Sequence, residues 1–304
     1  MRSAEILAEA SVLTVVLVSP TMRHAILGAG GIGGLLGAAL SRAGADVVLL
    51  MRPEALARYG GRLVIESAVL GDFEVGVPAE PGLDREVDLL WVTTKAMQLE
   101  PSLTLAATER IGGAIVIPLL NGVDHIAVLR ARYRNVVAGA IRVESERLAP
   151  ARIRQSSPFL RVELAGAEPV AAELRAAGID CRVRDDELSL LWDKLAFLAP
   201  VALATTALDA PLGAVRDDER FRRCQDEALA VARAEGAQVD EQALRTLQEA
   251  APAGMRSSMQ KDVAAGNQPE LDAIAGPILR GGRRHGIPVP NTDELARLVA
   301  ARTK

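Results

Sequence analysis

The hydrophobic pattern of the first half of the chain alternates between two kinds of apolar segment. Short continuous apolar runs are typical of strands buried in a parallel sheet, and longer amphipathic stretches are typical of helices. The runs that predict strands are Ala25–Leu27, Val47–Met51, Val87–Thr93, Ala114–Ile117 and Val136–Val143, and the stretches that predict helices are Gly31–Arg42 and Ala96–Arg110. This alternation predicts an α/β domain whose mostly parallel sheet is covered by helices on both faces.

The pattern changes in the second half of the chain. Strands are still predicted at Arg152–Gln155 and Leu160–Leu164, and a helix is predicted after them at Glu168–Ala177. Beyond residue 185 only helices are predicted, namely Ser189–Ala207, Asp217–Glu235, Asp240–Ala250, Glu270–His285 and Thr292–Ala301. We therefore expect an N-terminal extension over residues 1–21, an α/β domain over 22–185 and an all-helical domain over 186–304.

A glycine-rich turn directly follows the first predicted strand. In a strand–turn–helix unit of this kind, the first glycine permits a tight turn, the second leaves room for phosphates, and the third lets the helix pack on the sheet. The helix N-terminus then directs amide groups and a partial positive charge at the anion. An ordinary turn is the alternative, but the flanking strand and helix favour a Rossmann-type dinucleotide site. The residues of this turn are Gly28, Ala29, Gly30, Gly31, Ile32 and Gly33.

The end of the second predicted strand indicates which dinucleotide would bind. A carboxylate at this place binds the ribose 2′-hydroxyl of NAD, whereas an arginine suits the 2′-phosphate of NADP. The strand Val47–Met51 is followed by Arg52, whose guanidinium has the geometry to bind a phosphate. A solvated arginine at a strand end is the alternative. We favour NADPH as the cofactor.

Two further polar residues follow predicted strands at the same sheet edge. Lys95 comes after the strand Val87–Thr93, and Asn121 comes after the strand Ala114–Ile117. Ligands of open α/β sheets bind outside the carboxyl ends of the strands. We therefore expect Lys95 and Asn121 to face the cofactor, although an Asn-Gly pair such as Asn121-Gly122 is also a common turn.

Lys194 stands out in the helical part. The predicted helix around it is almost entirely apolar, and at helical spacing Lys194 shares a face with large apolar side chains such as Leu191 and Leu198. Such surroundings disfavour the charged form of a lysine and lower its pKa, which makes it a plausible general acid at neutral pH. A lysine whose amine reaches the surface, or pairs with Asp193, is the equally weighted alternative.

Composition and charge limit the classes of function. The chain of 304 residues has a formal net charge of −4, which argues against a nucleic-acid partner. Cys181 and Cys224 form no CxxC pattern, and the three histidines have no metal-ligand spacing, so neither a disulfide framework nor a metal site is expected. No uncharged apolar run of about 18 residues predicts a membrane span. Residues 1–21 lack the charge pattern and cleavage site of a secretion signal, so we expect a cytoplasmic protein.

Five motifs together resemble the ketopantoate reductase family. They are GAGGIGG at Gly28, VTTKAMQ around Lys95, LLNGVD around Asn121, LWDKLAF around Lys194, and SSMQKD followed after seven residues by Glu270. Their order and spacing are similar to the family's from about Arg23 to the C-terminus. The resemblance implies a Rossmann domain followed by a helical domain of the type found in 6-phosphogluconate dehydrogenase. It also implies reduction of 2-dehydropantoate to pantoate with NADPH, a step of pantothenate biosynthesis.

The resemblance also implies a role for each matching residue. Lys194 would be the proton donor and would contact the substrate. Glu270 would be the second catalytic residue: it would hydrogen-bond near the nicotinamide ribose of the cofactor and help to orient the reacting groups. Lys95 and Asn121 would line the cofactor cleft, with Asn121 also touching the substrate. Ser258 would bind the substrate carboxylate. Taken without the resemblance, Ser258 is equally a helix cap, and Glu270 equally a complement to a helix dipole.

The chain departs from the family where asparagines hold the substrate. Those positions are Leu198, Ala202, Leu212 and Met255. Because lost hydrogen bonds change substrate selection strongly, we expect either ketopantoate or another, more apolar 2-oxo acid or carbonyl compound. A non-catalytic NADP(H)-binding sensor is a further alternative. A homodimer is possible, since the helical domain offers apolar surface.

Overall fold

A computed structural model describes residues 22–303 of the chain. The predicted extension over residues 1–21 therefore lies outside the described residues. The elements of the first part are β1 (Arg23–Leu27), α1 (Gly31–Arg42), β2 (Asp46–Leu50), α2 (Pro53–Leu56), β3 (Arg62–Ser67), β4 (Phe73–Gly76), β5 (Ala79–Glu80), β6 (Leu89–Val92), α3 (Leu99–Ser102), α4 (Thr108–Ile111), β7 (Ile115–Pro118), α5 (His125–Arg130), β8 (Asn135–Val136), β9 (Gly139–Arg142), β10 (Ser145–Ala149), β11 (Arg152–Gln155), β12 (Arg161–Ala165), α6 (Glu168–Ala176) and β13 (Asp180–Arg184). The elements of the second part are α7 (Glu187–Ala207), α8 (Leu212–Val215), α9 (Glu219–Ala234), α10 (Glu241–Ala250), α11 (Ser258–Ala264), α12 (Leu271–His285) and α13 (Pro290–Ala301).

The first part is built on a six-stranded parallel sheet. Its strand order is β5-β2-β1-β6-β7-β8. Strands β2 and β5 lie on one side of β1 and strands β6, β7 and β8 on the other, so the order in which strands are added reverses between β1 and β6. The carboxyl ends of β1 and β6 therefore lie side by side. Such a reversal creates a crevice at the carboxyl edge, where open α/β sheets bind ligands. The predicted parallel sheet is confirmed.

Two smaller sheets extend this domain. Strands β10-β11-β3-β4 form a four-stranded sheet that packs on α1, and β13-β12-β9 form a three-stranded sheet. The prediction of one continuous strand over Val136–Val143 is wrong, because this segment forms two strands. The first, β8, pairs with β7 in the six-stranded sheet, and the second, β9, pairs with β12 in the three-stranded sheet. A run of apolar residues does not reveal this change of partner, because both halves are buried.

The predicted continuous helix over Ala96–Arg110 is also wrong. The chain forms a 3-10 turn at Ala96–Gln98, then α3, a second 3-10 turn at Leu103–Leu105, and finally α4. Pro101 explains the break, because a helix begun at Ala96 would place it in the interior without the N–H that the backbone ladder requires. Pro101 instead lies in the first turn of α3, where no such bond is needed.

The second part is entirely helical, as predicted. Helix α7 lies at its centre and packs against α9, α11, α12 and α13. By length and composition α7 is apolar enough to cross a membrane, but 72% of its most apolar window is buried inside the structure, as in the core helix of a globular domain. Asp186 begins the helix by accepting hydrogen bonds from the Leu188 and Ser189 amides.

Candidate active site

The glycine turn between β1 and α1 has the backbone geometry that a bound phosphate requires. Gly28 has φ +103°, and a Cβ there would lie 2.9 Å from the Thr94 nitrogen, so only glycine fits. A Cβ at Gly33 would lie 2.2 Å from the Gly28 oxygen, which shows how closely α1 packs on the turn. Gly30 has open space around it and begins α1 without a side-chain cap. The amides of the first helical turn are thus left for an anion.

Polar groups of β2 and β6 lie along the same edge. Arg52 follows β2, is exposed, and forms the N-cap of α2. Thr93 after β6 donates a hydrogen bond to the Gly28 oxygen at 2.8 Å and so fixes the turn. The neighbouring Thr94 hydroxyl is buried and has no hydrogen-bond partner among the described residues. A buried hydroxyl without a partner is costly and indicates a place for a polar ligand.

Glu270 joins the helical domain to the two loops that follow β6 and β7. One of its carboxylate oxygens accepts a hydrogen bond from the Ala96 amide at 2.8 Å, and the other accepts one from Asn121 Nδ2 at 3.1 Å. Gly122 allows this approach, since a Cβ there would lie 2.2 Å from the Ala273 oxygen in α12. Glu270 therefore holds a negative charge in the crevice between the domains.

Lys95 makes a second contact between the domains. Its Nζ lies 2.7 Å from an Asp262 carboxylate oxygen on α11. The structure therefore places Lys95 at the predicted edge, but its ammonium is paired with a carboxylate of the helical domain. Asp262 belongs to the SSMQKD motif, but no role was predicted for it from the sequence.

Lys194 reaches from α7 towards the loop after β7. Its Nζ donates a hydrogen bond to the Leu120 oxygen at 3.1 Å, next to Asn121. It does not pair with Asp193, whose carboxylate instead lies 3.0 Å from the Arg184 guanidinium on β13. The amine thus faces the crevice between the domains and stands near the Glu270 carboxylate.

The surroundings of Lys194 favour loss of its proton. Burial lowers the pKa of Lys194 to about 8; the positive charge of Arg142 acts in the same direction, and Glu270 opposes both. A lysine with this pKa is still mostly protonated at neutral pH and releases its proton more readily than an exposed lysine.

His125 lies beside this lysine and was not identified from the sequence. Its ring is buried, and neither nitrogen has a hydrogen-bond partner of normal geometry among the described residues. Burial lowers the pKa of His125 to about 3; the charge of Lys194 contributes to this, and the Asn121 backbone partly opposes it. His125 is therefore a neutral imidazole at physiological pH.

Among the described residues, the Ser258 side chain makes no hydrogen bond to Asn121, Lys194 or Glu270. Ser258 is the exposed first residue of α11, whereas the neighbouring Ser257 is buried, caps that helix and lies 2.9 Å from the Thr205 hydroxyl. The four positions where the resemblance implies asparagines carry apolar side chains. Leu198 and Met255 are half-buried, and Ala202 and Leu212 are fully buried.

The structure thus brings Asn121, Lys194 and Glu270 together and places Lys95 nearby. Arg52 lies farther along the sheet edge, as a contact to the adenosine end of a dinucleotide requires. Three neighbours of the cluster were missed: His125, Arg142 and Asp262. Arg142 interrupts an apolar run and His125 follows Asn121 closely, but neither pattern shows which side chains meet in space. Among the described residues, no group of three histidines, cysteines or carboxylates is placed to hold a metal ion.

Comparison with known protein families gives two matches that cover most of the chain. Residues 24–165 match the family described as "Ketopantoate reductase PanE/ApbA". Residues 187–303 match the family described as "Ketopantoate reductase PanE/ApbA C terminal". The first match ends at Ala165, the last residue of β12, and the second begins at Glu187, the first residue of α7.

Individual relatives and solved structures agree with these matches. The chain is 27% identical to a 2-dehydropantoate 2-reductase of Halobacterium salinarum, over 91% of this chain and 98% of that protein. A crystal structure of a PanE/ApbA family ketopantoate reductase from Ralstonia eutropha is 30% identical, with a TM-score of 0.80, and covers 93% of this chain and 98% of its own. A D-mandelate dehydrogenase in complex with NADH is 25% identical, with a TM-score of 0.82, over 93% of this chain and 99% of that chain.

Proposed function

The chain belongs to the ketopantoate reductase family, whose members are nicotinamide-dependent oxidoreductases, and from this premise we propose that it reduces a 2-oxo acid to a 2-hydroxy acid with NADPH. The observation that carries the proposal is the cluster of Lys194, Glu270 and Asn121 at the carboxyl edge of the parallel sheet. It combines a proton donor, a counter-charge and an amide at the loops that follow β6 and β7.

The residues at the sheet edge fit a dinucleotide phosphate. The open space at Gly30 and the uncapped start of α1 would hold the pyrophosphate, and the Thr94 hydroxyl has an unused hydrogen-bonding capacity next to Gly28. Arg52 is exposed at the end of β2, where an adenosine 2′-phosphate would bind, and this supports NADPH over NADH. When bound, the cofactor supplies a hydride to the carbonyl carbon of the substrate.

Lys194 supplies the proton that completes the reduction. Its ammonium holds a proton at Nζ and donates it to the carbonyl oxygen as that oxygen gains negative charge. Glu270 raises the pKa of Lys194 against the effect of burial, and therefore keeps the amine charged at neutral pH. Asn121 donates a hydrogen bond to Glu270, and its amide would orient the substrate. Ser258 would bind the substrate carboxylate from the start of α11.

The substrate is either ketopantoate or a 2-oxo acid with a more apolar side chain. Relatives named 2-dehydropantoate 2-reductase favour the first. The second is favoured by Leu198, one helical turn beyond Lys194, and by Met255, since both are half-buried apolar side chains where family members present amides. A structural relative is a D-mandelate dehydrogenase, which acts on an apolar 2-hydroxy acid.

Turnover tests this proposal. The full-length protein is mixed with NADPH and, separately, with ketopantoate, 2-oxoisovalerate and phenylglyoxylate, and loss of NADPH absorbance is followed. We expect turnover with at least one of them, and a loss of kcat of about a hundredfold or more in Lys194→Met, because general acid catalysis contributes 10²–10⁴-fold.

Lys261→Met is the matched control, since Lys261 is exposed on α11. It should leave kcat unchanged. The proposal is wrong if no 2-oxo acid is reduced, and the role of Lys194 is wrong if Lys194→Met keeps the kcat of the unmodified protein.

A further inference from the structure

Four alternating charges connect the three-stranded sheet to the helix that carries Lys194. Arg142 at the end of β9 lies 3.1 Å from Glu163 on β12, and Glu163 lies 3.6 Å from Arg184 on β13. Arg184 in turn lies 3.0 Å from Asp193 on α7. These residues, Arg142, Glu163, Arg184 and Asp193, are called here the charge chain.

The two carboxylates of the charge chain are largely shielded from water. The side chains of Glu163 and Asp193 are only 12% and 19% exposed, so their charges depend on the two arginines. Removing one partner of a shielded ion pair is costly, because it leaves the other charge uncompensated. The charge chain therefore fixes Asp193, and with it the rotation of α7, since this helix packs directly against β9 and β12.

Lys194 follows Asp193 directly and lies within the field of Arg142. The groups that face the amine are the Leu120 carbonyl and neutral His125 from the segment after β7, Glu270 from the start of α12, and Arg142 from β9. Arg142 is thus the cation that faces Lys194 from the sheet side. Three residues after Arg142, Ser145 donates a hydrogen bond to the Gly31 oxygen at 2.8 Å, so the same segment is also tied to the turn between β1 and α1.

We propose that Arg142 is a positioning residue for Lys194: through Glu163 and Arg184 it helps to hold Asp193, and so the face of α7 that presents the amine, and from the end of β9, which packs on α7, it keeps a second cation on the sheet side of Lys194. This inference rests on the proposed function, in which Lys194 is the proton donor. The charge of Arg142 lowers the pKa of Lys194 together with burial, and so brings the donor closer to the pH at which proton transfer is efficient. No atom of Arg142 needs to touch the substrate for this effect.

Competitive acetylation measures the proton affinity of Lys194 without cofactor or substrate. The protein is treated with trace acetic anhydride across a pH series, and the extent of acetylation is read by mass spectrometry. The sequence has only four lysines, Lys95, Lys194, Lys261 and Lys304, so each peptide is assigned without ambiguity. Arg142→Met should raise the pKa of Lys194 by roughly one unit, the size expected for losing a nearby like charge in a partly screened site.

Two further variants separate charge from packing. Arg142→Lys keeps the cation and should leave the pKa of Lys194 close to that of the unmodified protein. Arg161→Gln is the matched control, because Arg161 is the strand partner of Arg142 on β12 but pairs with Asp180, away from α7. It should cause no change. The same rise in both Arg142→Met and Arg161→Gln would overturn the inference.

The results also distinguish this inference from the proposed function. If Lys194 titrates near 8 and Arg142→Met leaves it there, the role given to Arg142 is wrong and the proposed function stands. If Arg142→Met shifts the titration as expected but no 2-oxo acid is reduced, Arg142 does set the proton affinity of Lys194 and the proposed function is wrong.

Discussion

Replacing Lys194 with methionine should stabilise the folded protein while abolishing turnover. Folding transfers the ammonium into a partly desolvated crevice, which lowers the pKa of Lys194 from 10.5 to about 8. Each pKa unit corresponds to about 1.4 kcal/mol, so the buried charge costs about 3 kcal/mol of folding free energy at neutral pH. Methionine has a similar length, is apolar and carries no such cost.

Part of this gain is lost again. The variant lacks the hydrogen bond from Nζ to the Leu120 oxygen, which is worth about 1 kcal/mol, and Glu270 loses a neighbouring cation. The net stabilisation at neutral pH should therefore be about 1–3 kcal/mol. Catalytic groups often reduce stability in this way.

The gain should depend on pH with a defined sign. Below pH 8, Lys194 is charged in both the folded and the unfolded protein, so the full cost is present. As pH rises from about 8 to 10.5, the folded protein has already released this proton while the unfolded chain still binds it, so the stability of the unmodified protein increases relative to the variant. Above 10.5 the advantage of methionine should vanish.

Urea unfolding at pH 7 and at pH 10 measures this difference. The Lys261→Met variant serves as the control: its lysine is exposed, so the variant should have the same stability as the unmodified protein at each of the two pH values. A Lys194→Met protein that is less stable than the unmodified chain at pH 7, or whose advantage is the same at both pH values, would refute the reasoning.

Substitutions at Arg52, His125 and Gly122 test three further features of the site. Arg52→Ala should raise the KM for NADPH about tenfold or more and leave the KM for NADH unchanged, because a charge-assisted hydrogen bond is worth about 1.5–3 kcal/mol. The exposed Arg58→Ala is the control, and equal effects on both cofactors would contradict a role of Arg52 in binding the 2′-phosphate. His125→Gln should lose less free energy of unfolding than the unmodified protein between pH 6.5 and 3. The pKa of His125 is lowered to about 3 in the folded protein, so the unfolded chain takes up this proton first as acid is added. Acid unfolding curves that coincide for the two proteins would count against this role of His125. Gly122→Ala should lower the free energy of unfolding by about 2 kcal/mol in urea, because Gly122 has φ +83° and a Cβ there would meet a backbone oxygen. Gly113→Ala is the control: there is open space around Gly113, so the free energy of unfolding should hardly change.

Local sequence features predicted the parts of the fold that depend on neighbours along the chain. The bounds of α1, Gly31–Arg42, agree with the expectation, because the glycine spacing requires a helix to begin there. The apolar stretch ending at Ala207 likewise predicted α7, which begins two residues earlier than expected, at Glu187, because Asp186 caps it. These signals act within a few residues.

The parts that could not be predicted depend on contacts between distant segments. Whether Asp193 pairs with Lys194 was left open, and the answer depends on Arg184, which the three-stranded sheet brings to Asp193. His125 and Arg142 each lie beside Lys194 only because the loop after β7 and the end of β9 both meet α7. Spacing along the chain carries no information about such a meeting.

The pH dependence of kcat/KM for the 2-oxo acid tests the central claim, that the ammonium of Lys194 donates the proton, most directly, because kcat/KM reports the pKa values of the enzyme before this substrate binds. With saturating NADPH, kcat/KM should be constant near neutral pH and fall about tenfold per pH unit above pH 8, because the pKa of Lys194 is lowered to about 8. A kcat/KM that stays unchanged up to pH 10 in the unmodified protein would contradict the account.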